Sequence, residues 1–453
     1  MKSLTLNRTA LVQVLGCKVN QAEAASLAGI LEQNGYRIDS SAIEPDLVLV
    51  HTCCVTMKAE GKSGRMVSRL VEKYPSSKVL VSGCLAEINP STLKALSERV
   101  VVLGAFDKDR LSEFLKANGK PIPEVMPERS SFRRSFVDPG PSRLRGRSRS
   151  FLKIQDGCSR RCTYCIVPAA RGPSRSLTPK SVMEHARNLY EQGFAEIVLT
   201  GVHLGHYGRD LQPRLCLEDL LDCLLDEFPG PRFRLSSVEP NEISPRLIAM
   251  VSRNPRLCSH FHIPFQSGDD EILNRMGRPY NTSFIRGLME QIQDQVPDAC
   301  VGLDIMVGFP GENESSFSKT KSLIEELNPA YLHVFPFSPR PGTPAAGFKP
   351  RVPEKIKSER AGELRSLSAT LRLNFYERFL GRKLSVVTES QSADGWTTVR
   401  TDNYIPVKTR LSPDLHDRSE FEIIIEKVQA DRVLGKVADL TGPHDKQLTR
   451  RRD

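Results

Sequence analysis

The sequence contains no long hydrophobic segment. Its longest apolar runs, such as residues 46–50, have the length of a strand and fall far short of the ~18 residues that a membrane-spanning helix needs. The apolar stretch ahead of Cys17 is also too short for a signal peptide, because Gln13 interrupts it. We therefore expect a cytoplasmic protein that enters no membrane and whose thiols stay reduced.

Acidic residues are nearly absent from one segment of this 453-residue chain, which has 64 Lys+Arg, 54 Asp+Glu and a net charge of +10. Residues 129–149 hold seven arginines and one acid, Asp138, so this segment contributes +6 (seven minus one). Its prolines, glycine and serines predict an interdomain linker, which we place at 126–149. Both a solvated linker and a segment that contacts phosphates are compatible with this composition.

Disulfides are not expected, since eleven cysteines in a large chain of a reducing compartment favour metal binding or catalysis. Strands alternate with helices over residues 8–118, which predicts an open parallel sheet. Cys17, Cys53 and Cys84 each follow one of these strands, and the carboxyl ends of parallel strands share one edge. The three thiols should therefore form one metal or cluster site, although Cys54 could replace Cys53 as a ligand.

Helix signals follow the first of these cysteines. Asn20 is a good N-cap residue and Glu23 stands where a capping box places its acid, so a helix is predicted over 21–34. Four further cysteines lie in or beside apolar segments and are interpreted as core residues: Cys216, Cys223, Cys258 and Cys300.

The rest of the chain predicts two more domains. From Ser150 onward, six strand–helix units are too few for an eightfold barrel and too many for a small open sheet, which favours a partial barrel with function at the carboxyl ends of its strands. After Gly381, short strands separated by turns predict a small all-β barrel, a fold that often binds nucleic acid. The predicted fold class is α/β, with an open parallel α/β sheet, a partial TIM-type (β/α)6 barrel and an all-β barrel, at 8–125, 150–377 and 378–443.

A cysteine-rich loop follows the first barrel strand. Cys158, Cys162 and Cys165 form a Cys-x3-Cys-x2-Cys pattern with no obvious fourth ligand nearby, whereas structural zinc takes four protein ligands. The pattern suits a 4Fe-4S cluster with one open iron, which can bind S-adenosylmethionine and reduce it to a carbon radical.

This loop, placed after the first strand of a partial barrel, resembles that of the radical S-adenosylmethionine enzymes. Over residues 8–443 the chain resembles the methylthiotransferases within that group. The residues at 16–20, 55–56 and 402–404 are most similar to the branch that acts on threonylcarbamoyladenosine in tRNA. The segments that carry the family resemblance are LGCKVN at 15–20, TCCVT at 52–56, SGCLA at 82–86, HIPFQSG at 262–268 and DIMVGFPGE at 304–312.

The resemblance implies an activity with its cofactors and partners. It implies methylthiolation at C2 of N6-threonylcarbamoyladenosine at position 37, next to the anticodon, with S-adenosylmethionine and two 4Fe-4S clusters. It also implies a C-terminal TRAM domain, a tRNA anticodon loop as substrate, an electron donor such as flavodoxin or ferredoxin, and a sulfur source. The cluster ligands that it implies are Cys158, Cys162 and Cys165 in the barrel, and Cys17, Cys53 and Cys84 in the N-terminal domain.

Five residues are candidates for contact with S-adenosylmethionine. Tyr164 resembles the aromatic residue beside the cluster in the family, although simple loop packing would also explain it. The others lie at strand ends on the face where the nucleoside of the cofactor should rest: Gly201, Ser237, Gln266 and Arg340.

Alternatives remain open at this point. The substrate could be isopentenyladenosine in tRNA or an aspartate of a ribosomal protein, and a non-catalytic metal-binding protein that binds RNA is a candidate from another class. His51 stands where the family usually has asparagine, and it either tunes the N-terminal cluster by hydrogen bonding or is a neutral replacement.

Overall fold

The computed structural model describes residues 8–104, 111–116, 149–392, 394–411 and 420–438. These residues form the three bodies that the sequence predicts, in the same order along the chain, and the predicted fold class is confirmed. The linker at 126–149 lies outside the described residues except for Arg149, which begins a strand. Within the described parts of the chain, no helix is long and apolar enough to cross a membrane.

The N-terminal body is a five-stranded sheet in the order β2-β1-β3-β4-β5, with every neighbouring pair parallel. The short β2 was not predicted, and it pairs with the edge of β1. The elements are β1 (Arg8–Val14), α1 (Lys18–Gln33), β2 (Tyr36–Ile38), β3 (Leu47–Thr52), α2 (Met57–Lys73), β4 (Lys78–Gly83), α3 (Cys84–Ile88), α4 (Pro90–Lys94), β5 (Val100–Val102) and α5 (Leu111–Lys116).

The predicted start of the first helix is wrong. Helix α1 begins at Lys18 with Cys17 as its N-cap, so Asn20 lies inside the first turn. The side-chain amide of Asn20 donates to the carbonyl oxygens of Leu15 (2.7 Å) and Thr52 (3.0 Å). It therefore ties the end of β1 to the end of β3 instead of capping the helix.

The central body is a partial barrel built from two sheets, β7-β6-β8-β9 and β10-β11-β12. Six of these strands run in parallel, and the two sheets meet at a bridge between Phe233 and Leu257. The elements are β6 (Arg149–Asp156), α6 (Val167–Arg171), β7 (Arg175–Ser176), α7 (Pro179–Glu191), β8 (Glu196–Gly201), α8 (Leu217–Glu227), β9 (Arg232–Leu235), α9 (Pro245–Arg253), β10 (His260–Gln266), α10 (Asp270–Arg275), α11 (Thr282–Gln295), β11 (Cys300–Val307), α12 (Glu314–Leu327) and β12 (Tyr331–Pro336).

The C-terminal body is a closed five-stranded barrel in the order β13-β14-β15-β17-β16, consistent with a TRAM-like domain. The long helix α13 leads into it and packs against β12. The elements are α13 (Glu354–Glu377), β13 (Lys383–Gln391), β14 (Thr397–Thr401), β15 (Pro406–Thr409), β16 (Glu420–Val428) and β17 (Val433–Val437).

The C-terminal barrel docks at the amino ends of the central strands. Arg232 donates to the carbonyl oxygen of Arg400 (2.8 Å), and Arg234 donates to that of Asp402 (2.7 Å). Glu196 is fully buried and accepts from both guanidinium groups, at 2.8 and 2.7 Å. The small barrel therefore closes the base of the partial barrel and leaves the carboxyl ends of its strands for the site.

The structure separates the four cysteines that the sequence assigned to the core. Cys258 and Cys300 are buried, as predicted. For Cys216 and Cys223 the prediction is wrong: Cys216 is the half-buried N-cap of α8, and Cys223 is exposed because the leucines of α8 form its other face.

Candidate functional site

The three N-terminal cysteines converge at the carboxyl edge of their sheet. Cys17 follows β1, Cys53 follows β3, and Cys84 begins α3 directly after β4. The pKa of the Cys53 thiol is raised to about 11, mainly by burial and in smaller part by the charges of Cys84 and Cys17, so the three thiols are close neighbours. A Cβ atom on Gly16, whose φ is +116°, would lie 2.9 Å from the Cys53 Cβ, which explains the glycine before Cys17.

The structure distinguishes the two adjacent cysteines after β3. Cys53 interacts with both Cys17 and Cys84, and its backbone is held by the hydroxyl of Ser63. Cys54 is fully buried in the apolar core of the sheet, and its thiol hydrogen-bonds to Cys84. That hydrogen bond raises the pKa of Cys54 and lowers the pKa of Cys84. This arrangement favours Cys53 as the ligand, with Cys54 behind it.

Cys53→Ala is expected to lose about half of the iron bound per chain after anaerobic reconstitution, because it removes one thiol from one of the two predicted three-cysteine sites. Cys54→Ala should keep the full iron content, since it removes only a buried neighbour of a ligand. Iron and acid-labile sulfide assays on both variants measure this difference. Full iron in Cys53→Ala together with a loss in Cys54→Ala would reverse the assignment.

The second thiol group lies in the loop after β6. The loop turns at Gly157, whose φ is +71°, and the Cys158 N–H donates to the Gly172 carbonyl oxygen at 2.9 Å. The pKa of Cys165 is raised to about 12, mainly by burial and in smaller part by the neighbouring Cys162 and Cys158 charges. The three thiols thus point into one space, as a cluster with three protein ligands requires. Burial raises the pKa of Cys158 as well, so cluster binding must displace the protons of Cys158 and Cys165.

A histidine pair beside this loop was not predicted. His203 Nδ1 lies 3.4 Å from Cys158 Sγ, and its Nε2 lies 2.8 Å from Glu242. His206 stacks on His203 at 3.7 Å and is 3.1 Å from the same carboxylate. Burial lowers the pKa of His203, so its ring is neutral at pH 7. Two histidines three residues apart, just beyond the end of β8, are the sequence signal that could have identified the pair.

Four of the five candidate contacts for S-adenosylmethionine lie around the carboxyl ends of the barrel strands. Tyr164 is half-buried, and its hydroxyl accepts from Arg278 Nη2 at 2.6 Å. Ser237 Oγ lies 3.4 Å from His262 Nδ1. Gly201 ends β8, and Gln266 ends β10 with a φ of +74°. Their contact with the cofactor stays a prediction.

The fifth candidate, Arg340, faces the N-terminal body. Its guanidinium is buried and forms an ion pair with Glu60 of α2. The neighbouring Ser338 hydroxyl accepts from the N–H of Met57, also on α2, at 3.0 Å. The segment after β12 therefore fastens the two bodies together, which is a structural role that the motif did not indicate.

A buried ion-pair network joins the N-terminal body to the partial barrel. Glu23 of α1 accepts from Arg171 at 2.9 and 3.0 Å and from Lys153 at 2.8 Å, and His51 Nε2 lies 2.9 Å away. Arg171 also donates to Asp156 at 2.9 Å. All five side chains are buried. His51 is thus a member of this network, which the sequence did not predict.

The same network connects the two thiol groups. Arg171 Nε lies 3.2 Å from Cys84 Sγ, in the N-terminal group. Asp156, which Arg171 also binds, accepts from the N–H of Gly157 at 2.8 Å, and Gly157 directly precedes Cys158. One guanidinium therefore links a ligand candidate of the first group to the backbone that carries the second.

A further group of polar side chains lies on the three last barrel strands. His262 Nε2 is 2.7 Å from Asp304 Oδ1, and His333 Nδ1 is 3.3 Å from the same oxygen. His262 and Asp304 open the two barrel motifs at 262–268 and 304–312, a signal that the sequence interpretation did not connect to this contact.

Comparisons with known proteins agree with this architecture. The radical SAM superfamily model matches residues 152–324, and the model described as "Uncharacterized protein family UPF0004" matches residues 9–104. A cobalamin- and [4Fe-4S]-containing radical S-adenosylmethionine methyltransferase, TsrM from Kitasatospora setae, shares the fold. Its TM-score is 0.53 at 16% identity, with 75% of this chain and 74% of that chain covered.

Curated relatives match almost the full length. The threonylcarbamoyladenosine tRNA methylthiotransferase MtaB of Thermotoga maritima is 34% identical over 95% of this chain and 99% of its own. The MtaB proteins of Bacillus subtilis and Rickettsia prowazekii are 32% and 34% identical, over 90% and 88% of this chain and 91% and 90% of theirs. Radical SAM membership implies a 4Fe-4S cluster and S-adenosylmethionine as cofactors. The chain is a radical S-adenosylmethionine enzyme and belongs to the threonylcarbamoyladenosine tRNA methylthiotransferase family.

Proposed function

We propose that this protein attaches a methylthio group to C2 of N6-threonylcarbamoyladenosine at position 37 of tRNA. The observation that carries the proposal is the pair of three-cysteine groups joined through Arg171. Two adjacent cluster sites suit a reaction that needs both a radical and a sulfur donor. The names of the curated relatives support the substrate.

Each thiol group has a proposed cofactor. Cys158, Cys162 and Cys165 would hold the 4Fe-4S cluster that binds S-adenosylmethionine, and Cys17, Cys53 and Cys84 would hold a second 4Fe-4S cluster. Bound together, these cofactors supply a radical that abstracts hydrogen and the sulfur that replaces it. The reaction requires a radical because the hydrogen on the adenine ring is neither acidic nor a leaving group. Tyr164, Gly201, Ser237 and Gln266 would position S-adenosylmethionine, and Arg340 would hold the sulfur-donating body in place.

The RNA must present a base that has left its stack, because the thiol loops lie at a barrel mouth. Anticodon loops offer unpaired bases of this kind. The C-terminal barrel and the arginine-rich segment at 129–149 would supply contacts to phosphates, and binding would weaken as the salt concentration rises. The reaction also consumes electrons and sulfur, for which we propose a flavodoxin or ferredoxin as reductant and a separate sulfur source.

Deletion of the gene is expected to remove the methylthio-threonylcarbamoyladenosine peak from digested cellular tRNA. Mass spectrometry of nucleosides measures the peak, and a copy carrying Cys223→Ala should restore it because that exposed thiol lies on α8, away from the site. An unchanged nucleoside profile would contradict the proposal. Loss of a methylthio-isopentenyladenosine peak, or of a modified ribosomal aspartate, would assign the alternative substrate.

A further inference from the structure

A cavity of 320 Å³ lies where all three bodies meet. Helix α1 contributes to its wall at its amino end, the strands β6, β8 and β9 form its floor, and the C-terminal barrel closes one side. The wall residues that matter here are Lys18, Arg149, Phe151, Val198, Arg234 and Tyr404.

The arginines of this cavity have anionic partners. Arg234 binds Glu196 at 2.7 Å, and Arg149 forms an ion pair with Glu389, which also lines the cavity. Arg400, next to the cavity, binds Glu389 as well, at 2.5 Å. Both carboxylates are thereby occupied by guanidinium groups.

Lys18 differs from these arginines. Among the residues that the structure describes, no carboxylate lies within ion-pair distance of its ammonium, which is 5.9 Å from the centroid of the Tyr404 ring. A cation in a half-enclosed cavity without an anion is poorly solvated, so such a place favours an anionic ligand. Lys18 directly follows Cys17 in the sequence, so the residue that lines the cavity is the immediate neighbour of a cysteine of the N-terminal thiol group.

The dimensions and the walls of the cavity indicate which anion it takes. At ~30 Å³ per water-sized group, its volume holds about ten non-hydrogen atoms, the size of a threonylcarbamoyl group. Phe151 and Val198 offer apolar surface for a methyl group, which a phosphate would not use.

We propose that this cavity binds the threonylcarbamoyl group of the target nucleotide and that Lys18 pairs with its carboxylate. This inference rests on the proposed function. It makes Lys18 a specificity-determining residue, because an adenosine whose N6 substituent lacks a carboxylate would leave a half-buried cation without a partner.

The test compares two anticodon stem-loops with the reconstituted holoenzyme. One carries threonylcarbamoyladenosine at position 37, and the other carries the same nucleoside with the carboxylate converted to a carboxamide. Wild type should prefer the carboxylate by about 10- to 100-fold in kcat/KM, the range of a charged hydrogen bond. Lys18→Met should lower kcat/KM on the carboxylate stem-loop only, so that the preference disappears. Lys18→Arg should retain most of the preference.

Two further variants make the result decisive. Lys180→Met, on the exposed start of the outer helix α7, is the matched control and should change neither rate. Gln21→Glu places a carboxylate on the same cavity wall one turn away, and should lower the rate on the carboxylate stem-loop more than on the carboxamide. If Lys18→Met binds less iron than wild type, Gln21→Glu becomes the variant that tests the subsite, because Gln21 is not adjacent to a cysteine in the sequence.

The outcomes separate the subsite from the activity. An equal loss on both stem-loops in Lys18→Met at full iron content would mean that Lys18 contacts an RNA phosphate. An unchanged preference for the carboxylate in both Lys18→Met and Gln21→Glu would reject the subsite. If wild type releases 5′-deoxyadenosine but methylthiolates neither stem-loop, the proposed function itself fails.

Discussion

A variant with Cys158, Cys162 and Cys165 all replaced by alanine is expected to release no 5′-deoxyadenosine above background and to form no methylthiolated tRNA. The three thiols are half-buried in one loop, close enough together to bind the same cluster. Without that cluster the enzyme has no means of reducing S-adenosylmethionine. The bound iron should fall to about four atoms per chain, held by the N-terminal group.

Chromatographic assay of 5′-deoxyadenosine and an iron assay on the same sample measure both effects. Cys223→Ala is the matched control, since Cys223 is exposed on α8 and should leave the turnover and the iron content unchanged. Continued release of 5′-deoxyadenosine by the triple variant would show that the radical chemistry takes place elsewhere. A complete loss of iron would show that the N-terminal group binds no cluster of its own.

Arg171→Met is expected to destabilise the junction between the N-terminal body and the partial barrel by about 3–5 kcal/mol. Arg171 is 3% exposed and binds the two buried carboxylates of Glu23 and Asp156. Methionine carries no charge and no N–H donor, so it would leave the buried carboxylates of Asp156 and Glu23 without this partner. Lys153 would still pair with Glu23, so the body should loosen at the junction rather than unfold completely.

Urea denaturation of the metal-free protein measures this effect without a contribution from cluster loss. Because the chain has several domains, its unfolding is not described by a single free energy. The quantity to compare is therefore the urea concentration at the midpoint of the first transition. Arg187→Met is the control: its ion pair with Glu227 is half-exposed on α7, and its loss should cost about 0–1 kcal/mol. A midpoint in Arg171→Met equal to that of the control would contradict a stabilising role for the buried network.

The local pattern of the sequence was sufficient for the architecture. Strand and helix periodicity gave three bodies in the right order, and the position of each cysteine just past a strand predicted that Cys17, Cys53 and Cys84 converge. This worked because a parallel sheet places the carboxyl ends of all its strands at one edge. The short strand β2 was missed because three residues carry too little periodicity.

Local signals failed where a residue serves a distant partner. Glu23 was interpreted as a capping acid, yet it binds Lys153 and Arg171, which lie 130 and 148 positions away in the sequence. Arg340 has the surroundings of a strand-end loop, yet it pairs with Glu60 of another body.

The sequence by itself therefore determined which cysteines are the candidate cluster ligands. Cys158, Cys162 and Cys165 lie in one short motif with fixed spacing, and Cys17, Cys53 and Cys84 each follow a strand of a parallel sheet. Only the tertiary structure showed that Arg171 connects the two thiol groups and that Lys18 lines a cavity. Periodicity reports the burial of a residue within its own helix or strand, whereas a buried charge is stabilised by whichever opposite charge the fold brings to it. The network around Arg171 and the cavity at Lys18 exist only once the bodies have packed together.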